Sequence, residues 1–87
     1  MQITTNSGFT CDIDPDVLNN MELVDALADV QNGNKLAYPT VCLLVLGRQT
    51  RAELYDHLRN KAGRVPTADV DREMTEIMQA LGKPAKN

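Results

Sequence analysis

Three groups of residues have types and spacings that could do chemistry. Asp12-x-Asp14-x-Asp16 opens like a calcium loop, in which alternating carboxylates hold a hard cation. That loop also needs glycine at its sixth position and glutamate at its twelfth, and here those are Val17 and Leu23. Pro15 falls inside the pattern as well. The acids are better read as a helix start, with Asp14 as cap, Pro15 at the first helical position and carboxylates near a positive helix end.

His57 is the only histidine. A catalytic role would require a nucleophile and an orienting acid beside it. Asp56 is its neighbour in sequence, but adjacent helical residues point in different directions. A solvent-facing helical histidine is therefore expected. Cys11 and Cys42 form no CxxC pair and no cluster with histidine, so neither a zinc site nor a disulfide framework is indicated. Cys42 reads as a buried structural thiol. The five glycines are scattered, and no phosphate-cradling loop or nucleophile elbow is present. The sequence thus predicts no catalytic residue, no metal and no cofactor.

Arg48-Gln-Thr-Arg51 has the character of a DNA recognition helix. Glu53 and Asp56 follow at once, however, and a nucleic-acid binder concentrates Lys and Arg on one face. Net charge is −3. Residues 1–46 set Lys35 alone against six acids, whereas residues 47–87 set eight basic residues against six acids. No nucleic-acid partner is expected. A small helical DNA-associated regulator stands as the alternative reading.

Elements must position whatever these residues do. Eighty-seven residues suit one domain, 1–87, with a thin core. Aromatic content is 3%, so the core must come from aliphatic side chains, which favours packed helices. Gln2–Thr5 and Phe9–Ile13 are β-prone and flank Asn6-Ser-Gly8, which predicts a hairpin over 1–13 with Phe9, Cys11 and Ile13 on its inner face. A helical body follows over 14–81. Its first part carries Val17, Leu18 and Met21 inward. It continues over Met21–Gln31 with Leu23, Val24, Leu27 and Val30 buried; Asn19-Asn20 offers a break. Asn32-Gly33-Asn34 stops it. A second helix runs from Lys35 or Pro39 to Leu46 and ends at Gly47. A third, about Thr50–Lys61, turns Leu54, Tyr55 and Leu58 to one side. Thr67 caps a fourth, with Val70, Met74, Ile77, Met78 and Leu81 as its apolar stripe. Residues 82–87 are expected to fray. The expected fold is mainly α: a small bundle of about four short helices preceded by an N-terminal β-hairpin.

The stretch ending Val41-Cys-Leu-Leu-Val-Leu-Gly47 is too apolar for a solvent-facing helix. It is also shorter than the ~20 apolar residues that span a bilayer, so no membrane partner is expected. It must be covered by this domain or by a partner. The opening Met1-Gln-Ile-Thr-Thr5 has no basic patch leading into an apolar segment, so a cytoplasmic protein with reduced thiols is expected.

The order of these pieces resembles a known family. Glu22-Leu-Val-Asp-Ala-Leu-Ala-Asp29 leads to a Gly33-Asn34 break and then to Leu43-Leu-Val-Leu-Gly47. Leu54-Tyr-Asp-His-Leu-Arg59 follows, and Gly63-Arg-Val-Pro66 precedes Met74-Thr-Glu-Ile-Met78. Over about residues 9–81 the chain resembles the small tail assembly chaperones of long-tailed, siphovirus-like phages and prophages of Gram-positive bacteria. It departs from them at Pro39 and at the basic Arg48-Gln-Thr-Arg51. The resemblance implies a non-enzymatic protein of the host cytoplasm that is absent from the mature virion. It implies binding to the tape measure protein and recruitment of tail tube protein. A structural head–tail component retained in the virion is a further alternative. A chaperone for apolar helical segments needs an exposed apolar face. Tyr38, Val41, Leu43, Leu44 and Leu46 are the candidates, with Met74 and Met78 as adaptable contacts. A homo-oligomer could cover the same surface.

Overall fold

The computed structural model describes residues 1–82. Residues 83–87, nearly all of the segment expected to fray, lie outside the described residues.

The hairpin forms where predicted. β1 (Gln2–Thr4) pairs antiparallel with β2 (Thr10–Asp12), in the register Ile3 opposite Cys11. Asn6-Ser-Gly8 makes the turn, closed by Thr5 N–H donating to the Phe9 carbonyl at 2.9 Å. Ile3, Phe9, Cys11 and Ile13 are all buried, so one face of the hairpin is part of the core. Two strands alone would be marginal in water. Burial against the helices is what holds them.

A single 3-10 turn, Pro15–Leu18, is capped by Asp14, whose carboxylate accepts from Asp16 N–H. Asn20 caps α1 (Met21–Gln31) in the same way. At the far end, Gly33 N–H donates to the Val30 carbonyl and Asn34 N–H to the Asp29 carbonyl. This Schellman closure needs a left-handed residue, and Gly33 supplies it at φ 98°. The rotation of α1 differs from expectation. Leu23 and Ala26 are buried, whereas Met21 is 70% exposed and Val24 50%. Helical positions 23, 26, 27 and 30 already fill the inward arc, and 21 and 24 fall outside it.

Among the described residues there are three α-helices, not the expected four. The run predicted as two helices is one element, α2 (Tyr38–Leu58), entered through a 3-10 turn at Lys35–Ala37. Gly47 does not release the chain into a loop. It takes φ 79°, ψ 169° for a single residue, and the helix resumes. The bend is large. Arg51 Nη1 lies 3.3 Å from the Pro39 carbonyl oxygen, although twelve residues of straight helix would span about 18 Å. The two arms, 38–46 and 48–58, therefore fold back towards each other. Helical geometry ends at Leu58, three residues before the expected Lys61.

Asn60 shapes the next loop by accepting from Ala62 N–H and Arg64 N–H. α3 is Thr67–Leu81. The expected Thr67 cap is corrected: Thr67 is already helical, and the capping position is Pro66, which has no side-chain acceptor. Val70, Met74, Ile77 and Leu81 are buried as predicted, and Met78 is half-buried. One apolar cluster joins the hairpin to Leu23, Leu54 and Ile77. Burying each such leucine or isoleucine contributes about 1.5–3 kcal/mol. Among the described residues, no helix is long and apolar enough to cross a membrane.

Candidate functional site

The bend at Gly47 creates a concavity. It brings Tyr55 of the second α2 arm beside Tyr38 and Pro39 at the start of the first, and α3 closes the far side with Val70 and Asp71. The resulting groove has a volume of about 820 Å³. That lies in the upper part of the range typical of ligand pockets, about 300–1,000 Å³. Val30 from the end of α1 and Val65 from the loop complete apolar walls.

Its polar features are few. The Tyr38 hydroxyl donates to Asp71 Oδ1 at 3.2 Å. Burial, then the nearby Cys42 thiol and the Asp71 carboxylate, push the Tyr38 hydroxyl well above the usual tyrosine range. Burial likewise raises Tyr55, with Cys42 beside it. The Arg51 guanidinium lies 5.8 Å from the centre of the Tyr55 ring, within reach of a cation–π attraction. Lys35 and Arg59 stand at the rim. Arg59 is shared with Asp56 at 3.1 Å and with the Gly63 carbonyl at 2.9 Å.

A smaller cleft of about 310 Å³ lies between α1 and the first arm of α2. Glu22, Asp25 and Asp29 recur at helical spacing and line it together with Leu44 and Thr40. Among the described residues none of these three acids makes an ion pair.

The predicted contact residues are not brought together. Tyr38 alone lines the larger groove. Leu44 lines the acidic cleft, half-buried. Val41, Leu46 and Met74 are core residues, 1%, 7% and 2% exposed. Leu43 and Met78 are half-buried. Sequence reasoning missed Val30, Val65 and Val70 as walls of a groove. Tyr55 carried a usable signal: with Tyr38 it makes up the whole tyrosine content of the chain.

A polar cluster was also invisible in the sequence. Ser7 Oγ lies 3.0 Å from His57 Nε2 and donates to Glu73 Oε1 at 2.9 Å. Thr5 Oγ1 donates to the same carboxylate oxygen, and Asn6 N–H donates to Glu76 Oε1 at 2.8 Å. Glu73 is fully buried, and its Oε2 has only Arg72 Nε, 3.5 Å away. Serine, histidine and glutamate are the components of a hydrolase relay, but the connectivity is different. In that relay the acid orients the histidine, which in turn takes the serine proton. Here the acid takes hydrogen bonds from Ser7 and Thr5, and the cluster lies outside both clefts. The arrangement pins the hairpin turn to α2 and α3. His57 is exposed, as expected, with its ring 5.5 Å from that of Phe9. Arg51, half of the candidate recognition motif, is committed to Pro39 and Tyr55. No group of three or more metal-ligating side chains is assembled among the described residues.

No family model, no curated protein and no solved structure matches this chain.

Proposed function

We propose that the protein is a non-enzymatic binding module that acts as a phage tail assembly chaperone in the cytoplasm of the bacterial host. The observation that carries this reading is the groove of about 820 Å³, apolar-walled and open between α1, both arms of α2 and α3. Helix-in-groove docking uses such a surface and needs no reactive group. The order of motifs from Glu22 to Met78 supplies the client: the tape measure protein, with tail tube protein recruited to it. The commitment of Arg51 to Pro39 and Tyr55 counts against the alternative of a DNA-associated regulator.

Co-expression with the tape measure protein tests the proposal. The expected result is a soluble complex that co-purifies, and a client that aggregates when expressed alone. Mass spectrometry of mature virions should not find the chaperone. A client that is equally soluble without this chain, or stoichiometric amounts of the chain in finished tails, would overturn it.

A further inference from the structure

We propose that the occupant of the Tyr38–Tyr55 groove is an amphipathic helical segment of a partner that carries acidic residues beside its apolar face. This rests on the reading of the groove as a docking site and adds the chemistry of what docks.

The argument is one of charge placed around an apolar floor. Tyr38, Tyr55, Val65 and Val70 present carbon surface, which by itself would accept any apolar segment. The rim discriminates. Lys35 and Arg59 line it, and Arg51 reaches over the ring of Tyr55. Lys35 makes no ion pair among the described residues, whereas Arg51 is held by the Pro39 carbonyl and the Tyr55 ring. Arg59 is shared with Asp56, and Asp71, the acid that lines the groove, already accepts the Tyr38 hydroxyl. Lys35 is thus the groove-lining cation left, among the described residues, to meet a partner's carboxylates. The opposite cleft, with Glu22, Asp25 and Asp29 unpaired, would attract a segment of the other sign, so the two faces sort partners by charge. Complementary rim charges of this kind set specificity and association rate, and salt screens them.

The test uses the full chain and two synthetic helical peptides of about 15 residues, long enough to place leucines at i, i+3, i+4 and i+7. One peptide carries glutamates beside the leucines, the other lysines. Affinity is read by fluorescence anisotropy at about 50 mM and about 500 mM salt, where the screening length falls from roughly 14 Å to 4 Å. The glutamate peptide should bind about tenfold tighter at low salt, and the gap should close at high salt. Lys35→Glu, at an exposed position, should narrow the gap about threefold without changing the circular dichroism spectrum. Ala68→Gln places a larger neutral side chain at an exposed residue of the groove and should weaken both peptides. Equal or tighter binding of the lysine peptide would overturn the charge inference, while sensitivity to Ala68→Gln would still locate docking in the groove. Failure of both peptides to bind would overturn the groove reading and the inference with it.

Discussion

The two clefts borrow from the same short stretch of helix and differ in every other respect. The first arm of α2 turns Thr40 and Leu44 towards α1, and Tyr38 and Pro39 towards α3. On one side it meets a stripe of three acids across a narrow cleft. On the other it meets a tyrosine, three valines, Lys35 and Arg59 across a groove more than twice as large. The arm itself does not set that contrast. What returns to face it does. α1 packs its acidic flank alongside, whereas the bend at Gly47 sends the second arm back with Tyr55 and Arg51. A single helical segment thereby borders one cleft lined by three acids and another lined by Lys35, Arg59 and Asp71.

The comparison breaks most severely if the second arm loses its seat in the core. Leu54 is fully buried on that arm, and Leu54→Ala should cost about 2–5 kcal/mol of unfolding free energy, measured by urea titration. A loss below about 1 kcal/mol would mean that the arm is not held where the groove requires it. Gly47→Ala comes next. At φ 79°, ψ 169° Gly47 occupies a region reserved almost entirely for glycine. A Cβ there would meet nothing within 4 Å, so the cost is purely that of the backbone, about 1–3 kcal/mol. An unchanged urea midpoint would show that the arms do not need this conformation.

Two binding variants sharpen the contrast between the clefts. Tyr55→Ala should weaken the glutamate-bearing peptide about tenfold, a loss typical of a buried aromatic anchor. Leu44→Asp, in the acidic cleft, should change the same affinity by less than about twofold. If Leu44→Asp were the more damaging of the two while the protein stayed folded, the docking face would be the acidic cleft. The smallest effect concerns alkaline pH. The folded state holds the Tyr38 proton above the usual tyrosine value of 10.0. The unfolded chain releases its proton near about pH 10, so this contribution is complete below that pH and is lost as pH rises beyond it. Thermal melts between about pH 9 and 11.5 should show a shallower decline for Tyr38→Phe than for the parent protein.

Much of the fold was legible because its signals are local. Asn6-Ser-Gly8 closes a hairpin by its own turn chemistry. Gly33 between two asparagines terminates α1 by the hydrogen bonds of the six residues around it. Val70, Met74, Ile77 and Leu81 repeat at helical spacing, and all four are buried. The candidate site was read less well. The sequence marked the apolar run after Pro39 as needing cover, and Val41, Cys42 and Val45 receive that cover inside the domain. Tyr38 belonged to the expected contact face and does line the groove, but Val41, Leu46 and Met74 from that face are spent on the core. Apolar character alone does not separate a residue that is covered by its own chain from one that waits for a partner. Met21 and Val24 show the converse: apolar at helical positions, yet exposed, because Leu23 and Ala26 define the inward arc.

The amino-acid sequence by itself determined the element types, the hairpin, the capped start and glycine stop of α1, the stripe of α3 and the uneven distribution of charge. Each depends on residues within a few positions of one another. Tertiary structure alone decided that Gly47 bends one helix instead of ending it, and that Tyr55 consequently faces Tyr38. It also decided that Glu73, a charged residue in an amphipathic helix, is buried to receive Thr5 and Ser7 from the hairpin turn. Those outcomes join residues 17 to 68 positions apart, and such contacts depend on how the elements pack as a whole, which no local pattern encodes.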